Sequence, residues 1–202
     1  CSAASLGGWF GLNQDGEFGR DALAAKGKLT KVGGGDGGFD FTKISSTGQS
    51  LSTTATAWSC IKDNHTGLMW EVKTDDEGDL HYKYKRYRWY NPDSSTNGGD
   101  KGDENYGSDN TYAFAQAVNI QDLCGYSDWR LPTRQELHSI ANYGLDPSFG
   151  SYFNTLSREY WSSSPVANNI YRAWSLDLPV GRNPVDNNKY SSSPVLLVRT
   201  SQ

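Results

Sequence analysis

The chain has 202 residues and a net charge of −4, a balance that argues against nucleic acid as a main partner. Only 36% of it is hydrophobic, yet 13% aromatic residues with seven tryptophans can build a core, and 22 glycines point to a loop-rich α+β or β protein instead of a helical bundle. No apolar run reaches membrane-spanning length, and no CxxC or Cys/His cluster has metal-ligand spacing.

Residues 1–38 read as an N-terminal tether. Cys1, followed by Ser-Ala-Ala-Ser, is what signal cleavage of a bacterial lipoprotein leaves, with lipid on the thiol. The other reading is simply the point at which this chain begins. Both suit an exported, oxidising setting. Asn13, Asp15 and Glu17 echo the start of an EF-hand loop, but Phe18 stands where that loop needs glycine. Asp21 to Lys28 predicts a short helix, and Gly33 to Gly38 a flexible run. Phe39-Asp40-Phe41 then opens a strand and, with it, a domain over 39–202.

Trp58 to Asp63 alternates apolar and polar residues, Asn64-His65-Thr66-Gly67 makes a turn, and Leu68 to Val72 completes a hairpin. Cys60 in that hairpin suits a disulfide with Cys124. From His81 to Tyr90 runs a basic, aromatic stretch, and as a strand it puts Tyr82, Tyr84, Arg86, Arg88 and Tyr90 on one face. It is either a solvated ribbon that blunts a sheet edge or a grip for sulfated glycan through Lys83, Lys85, Arg86 and Arg88. Asn91 to Asn110 is a Gly/Asp/Asn loop. Its Asp100, Asp103, Glu104 and Asp109 match no EF-hand spacing, so no metal site is assigned.

Thr111 to Asp122 predicts a helix with Ala113, Ala117 and Val118 near one face. The next stretch, Cys124 to Leu137, joins two helices. Thr133 can N-cap the second, and Glu136, three residues on, completes a capping box, with Pro132 just outside. Leu137, Ile140 and Ala141 keep helical spacing towards a stop at Gly144, while Trp129 and Leu131 read as core anchors. Strands follow at Tyr160 to Ser164, Ala173 to Leu178 and Val195 to Arg199, separated by turns rich in Asn, Pro and Gly.

Four groups of these residues recur in order in one bacterial family. They are Trp58-Ser59-Cys60 with Thr66-Gly67-Leu68-Met69-Trp70-Glu71, Leu123-Cys124-Gly125 with Asp128-Trp129-Arg130-Leu131-Pro132-Thr133, Tyr160-Trp161-Ser162-Ser163-Ser164, and Leu197-Val198-Arg199. From Phe39 to Arg199 the chain resembles the domain named after the C-terminal part of the Legionella collagen-like adhesin. The resemblance implies a C-type lectin-like fold, α+β, with two helices on a twisted, mostly antiparallel sheet. The Arg-Leu-Pro-Thr helix start is also similar to that of formylglycine-generating enzymes. Those enzymes depend on cysteines late in the domain, and none follows Cys124 here. With no nucleophile paired to His65, His81 or His138, the expectation is a binding protein, not an enzyme, with no cofactor.

Some lipoproteins of that fold are targets of diversity-generating retroelements, which randomise AAY codons. Such a codon, randomised at its first two bases, cannot encode Glu, Gln, Lys, Met or Trp. Between Ser162 and Arg199 those types occur only at Trp174 and Lys189. The alternative is an ordinary Ser/Asn-rich loop region. The expected binding face is Asn168 to Tyr190, exposed between strands: Asn168, Asn169, Ile170, Tyr171, Arg172, Trp174, Ser175, Asp177, Pro179, Arg182, Asn183, Val185, Asp186, Asn187, Asn188 and Tyr190. The expected partner is a protein or glycan, with the membrane touched only through the lipid on Cys1. The expected location is the bacterial cell surface or outer membrane.

Overall fold

A computed structural model describes residues 19–107, 109–142, 151–177 and 185–200. Strands β1 (Phe41–Ile44), β2 (Cys60–Asp63), β3 (Leu68–Glu71) and β9 (Val198–Thr200) form an antiparallel sheet in the order β1-β2-β3-β9. The first and last strands of the chain are thus in one sheet. Because the pleat sends alternate side chains to opposite faces, each strand feeds two cores. Ile61, Trp70 and Val198 lie side by side in register and meet Leu137 of α3 (Arg134–Ser139) and its C-cap Ile140, along with Phe153, Tyr160 and Leu176. On the other face Cys60 and Met69 meet Phe114 and Val118 of α2 (Thr111–Ile120), with Trp129 and Trp161. The approach to β9 obeys the same alternation, Leu196 and Val198 going to the first core, Val195 and Leu197 to the second. Burying each such aliphatic side chain contributes roughly 1.5–3 kcal/mol.

Cys60 and Cys124 are disulfide-bonded, with Cα atoms 6.5 Å apart, so the first hairpin is tied to the end of α2. Around that cysteine the chain reverses through left-handed residues, Asp122 (φ 51°), Cys124 (φ 55°) and Gly125 (φ 78°). Then comes α3, and its capping box forms as expected: Thr133 Oγ1 accepts from the Glu136 N–H, and Glu136 accepts from the Thr133 N–H. Trp129 is 2% exposed, and its indole N–H donates to Leu123 O, confirming it as a core anchor.

Several expectations change. The short helix is α1 (Arg20–Ala25), ending before Lys28. The glycine run is fastened and not free: Gly34 and Phe41 exchange backbone hydrogen bonds, and the Val32 and Gly33 N–H groups donate to the Asp40 carboxylate. In α2 the buried face is Phe114, Ala115 and Val118, leaving Ala113 and Ala117 half-buried, because the large ring selects the inward side. Val195 to Leu197 is extended and buried, but the strand proper begins at Val198. From His81 to Tyr90 only β4 (Tyr87–Arg88) is strand, paired with β8 (Ser192–Ser193). A turn at 79–85 breaks the ribbon, and Tyr87 and Trp89 point into the core, since their rings fill space beside Phe114 and Trp161. The helix stop at Gly144 lies outside the described residues.

Glu71 ends β3 on the second face and is wholly buried. It accepts from Lys73 Nζ at 2.6 Å, His81 Nδ1 at 2.7 Å and the Leu197 N–H at 2.9 Å. Burial by itself opposes its charge, but the Lys73 ammonium and the His81 hydrogen bond outweigh burial and hold its carboxyl below the usual range. Burial in turn pushes Lys73 down, against the pull of Glu71. Among the described residues no helix is long and apolar enough to cross a membrane.

Candidate functional site

The expected binding residues fall on a second antiparallel sheet: β5 (Glu159–Val166), β6 (Asn169–Asp177) and β7 (Val185–Asn188), in that order. Beyond the strand expected from Ala173, Asn169 to Arg172 and Val185 to Asn188 are also strand, where turns were expected. β6 has the longer register, pairing Tyr160 with Leu176 on one side and Arg172 with Asn188 on the other. Its base is interior. Ala173 and Leu176 are in the cores, and Ser175 is 1% exposed, which removes Ser175 from the contact set. Trp174 is half-buried beneath the Arg134 guanidinium, 4.8 Å from its ring, so α3 supports it as well.

Towards the far end the side chains turn outward. Asn168, Asn169 and Asn188 are exposed, with Ile170 at 43%, Tyr171 at 54% and Tyr190 at 44% exposure. Arg172 and Asn187 are half-buried, and Asn187 donates to Glu159 Oε2 at 3.1 Å. Pro179, Arg182 and Asn183, like Cys1, lie outside the described residues; of Asp177, Val185 and Asp186 only the backbone is described.

What steadies this end was not visible as a motif. Lys189 follows β7 and has no exposed surface. Its ammonium donates to Asn97 O at 2.8 Å and Asp100 O at 2.6 Å, and sits 4.3 Å from the centre of the Trp89 ring. Burial pushes its pKa down, and Asp100 pulls the other way. The loop from Asn91 to Gly102 is thereby pinned against the β5–β6 turn. It comes so close that a Cβ on Gly98 (φ 72°) would stand 2.5 Å from the Pro165 ring, and one on Gly99 (φ 99°) would stand 3.1 Å from Ile170. Within the loop Asp93, Asn97 and Asp100 each accept a backbone N–H two residues on, locking successive turns.

The acidic residues of the same region are engaged elsewhere. Asp103 pairs with Arg88, and Glu104 with Lys101. Among the described residues no group of three or more His, Cys, Asp or Glu side chains is arranged to hold a metal. Of the basic run, Lys83 pairs with Asp75 at 2.5 Å, and Arg88 is taken by Asp103. Arg86 instead meets Arg158, far away in sequence, along an open groove of about 340 Å³ that Asn187 and Ser193 also line.

With this geometry in place, the chain can be set beside known proteins. The family model of the Lcl C-terminal domain matches residues 59–199, more than two thirds of the chain. That family is lectin-like and non-enzymatic, and its C-type lectin-like fold is the α+β arrangement described above. No curated protein matches the chain.

Proposed function

The chain belongs to the Lcl C-terminal domain family, and from that premise we propose that it is an exported, surface-displayed domain that holds a protein or glycan ligand non-covalently at the outer end of β5–β6–β7. The observation that carries this is a set of exposed apolar side chains on a fixed support. Of the eight large hydrophobic side chains exposed among the described residues, Ile170, Tyr171 and Tyr190 fall within this one stretch. Rigid aromatic side chains lose little conformational entropy on binding, so such groups carry interface energy well. Exposed Asn168, Asn169 and Asn188 beside them supply neutral hydrogen-bonding groups.

The same stretch favours diversification by a retroelement. Its two residues outside the randomised-codon set, Trp174 and Lys189, both have structural duties, one under Arg134 and the other pinning the loop. Export with lipid on Cys1 completes the proposal, and labelled palmitate incorporation lost in Cys1→Ser checks that part. To test the face, a glycan array and a panel of extracellular-matrix proteins are screened for a partner. Tyr171→Ser with Tyr190→Ser should weaken that partner at least tenfold; undiminished binding overturns the assignment.

A second reading rests on Arg86 and Arg158 meeting in one groove, where Ser157 and Ser192 join them. It is a sulfated-glycan site, displaced from the ribbon that the sequence suggested. Retention on heparin at low salt, lost in Arg86→Gln with Arg158→Gln, is its test. Absence of retention removes it.

A further inference from the structure

The loop that Lys189 holds is folded as a receptor for a cation. Its neck is closed by main-chain hydrogen bonds, the Asn91 N–H to Lys101 O at 2.9 Å and the Asp103 N–H to Trp89 O at 3.1 Å. Inside it, Asn97 and Asp100 each turn their side-chain Oδ1 back to accept an N–H two residues on, from Gly99 at 2.9 Å and Gly102 at 2.8 Å. Left-handed Gly98, Gly99 and Gly102 (φ 72°, 99° and 80°) allow these reversals without strain. The side-chain oxygens are thereby engaged locally, while the main-chain carbonyls of the same two residues converge. Asn97 O and Asp100 O meet on one atom, Lys189 Nζ, at 2.8 and 2.6 Å. Without a donor between them, two carbonyls turned inward would be left unsatisfied, at a cost in free energy.

The surroundings fix which cation fits. Calcium takes six to eight oxygens at about 2.3–2.6 Å. Here two carbonyls face the cation, and the centre of the Trp89 ring stands 4.3 Å away. An aromatic face attracts an ammonium and gives a metal no oxygen. The acidic side chains of the region are committed to other partners, Asp100 Oδ1 to Gly102, Asp103 to Arg88 and Glu104 to Lys101. Two carbonyl acceptors beside a π face suit a group with N–H donors and one positive charge. Lys189 supplies it from a backbone fixed on both sides: its N–H donates to Tyr171 O and its carbonyl accepts from the Trp89 N–H, each at 3.0 Å.

We propose that the 91–102 loop contains a site specific for a primary ammonium, filled by the chain's own Lys189. The loop beside the exposed sheet end then takes its shape without calcium, and truncating the lysine leaves a site for a free alkylammonium ion. This stands whether or not that sheet end is where the ligand binds. The test uses the whole chain and reads hydrogen exchange across 91–102 by mass spectrometry. In the parent chain, exchange should be the same in millimolar calcium as in EDTA. Lys189→Ala removes three methylenes and the ammonium, which propylammonium can replace. Exchange across 91–102 should quicken at least tenfold in this variant. Tens of millimolar propylammonium should slow it again at least threefold, measured against potassium chloride at equal ionic strength. 1-Propanol, as long but uncharged, and propyltrimethylammonium, charged but without N–H, should each restore far less. Lys189→Met fills the channel and should exchange fast with or without propylammonium. The proposal is overturned by parent exchange that calcium slows, by unaltered exchange in Lys189→Ala, or by failure of propylammonium to restore it. Rescue by calcium or by propanol equal to that by propylammonium overturns it too. If Lys189→Ala does not fold, the other two chains decide: fast exchange in Lys189→Met with a parent indifferent to calcium upholds the site, and any other pairing sinks it.

Discussion

Glu71 and Lys189 are both fully buried charges, and the two regions they organise behave as opposites. Around Glu71 the partners are a lysine, a histidine and the backbone of Leu197, all inside the second core. The charge there clamps one sheet strand to the segments crossing it, and the Cys60–Cys124 bond closes the same region covalently. Around Lys189 the partners are carbonyls of a surface loop. That charge holds a platform in shape, on which Ile170 and Tyr171 stand about half exposed. One region spends its polar groups on stability, the other on holding an exposed surface in place.

Removing the disulfide is the largest blow this contrast predicts. Its loop of 64 residues stabilises by about 4 kcal/mol through restriction of the unfolded chain. Cys60→Ser with Cys124→Ser should therefore lower the melting temperature by roughly 8–16 °C. A drop of a degree or two would show that the Glu71 region holds without it.

Glu71→Gln comes next. It leaves the Lys73 ammonium buried without a counter-charge, at a cost of about 3 kcal/mol. Its pH signature is specific. The folded carboxyl titrates below its unfolded value of about 4.3, so between the two values the unfolded chain binds more protons. The stabilisation is complete above that window and is lost as pH falls through it. Calorimetry from pH 7 to pH 3 should find the variant's stability falling less steeply than that of the parent. Asp40 and Glu136, also held below the carboxylate range, keep some slope in both. Equal slopes would contradict the role given to Glu71.

Lys189→Met keeps the stem over Trp89 but removes the donors to Asn97 and Asp100, costing about 1–2 kcal/mol. Its effect should be local. Hydrogen exchange ought to speed up across 91–102 while β2 and β3 stay protected, whereas uniform loss would mean that the lysine belongs to the global core. Smallest of all, Ile170→Ser with Tyr171→Ser should shift stability by under about 0.5 kcal/mol. A larger drop in melting temperature would make those side chains part of the fold and erase the contrast.

Local rules were enough wherever neighbouring residues settle a structure among themselves. The Thr133–Glu136 capping box, the hairpin turning at Asn64 to Gly67, the strand starting at Tyr160-Trp161 and the alternation after Ala173 all depend on spacings of two to four residues, and each is present. The Cys60–Cys124 pairing was also readable, because both cysteines sit inside patterned segments.

Tertiary structure decided the rest. The 81–90 run has the alternation of an exposed strand, but Asp75 and Asp103 draw off Lys83 and Arg88 while Tyr87 and Trp89 sink into the core. Charge partners from other segments cannot be read from spacing. In the sequence Lys189 stands out only as an exception to the randomised-codon set, and its burial depends on two carbonyls about ninety residues earlier. The recess of about 430 Å³ between the 91–102 loop, α2 and the Trp129–Thr133 segment exists only where these distant parts of the chain meet. The sequence by itself determined which residues turn, cap and alternate, because those preferences act through a few bonds. Which polar groups are spent inside the fold and which remain for a ligand was decided only by packing, because it depends on what distant segments bring alongside.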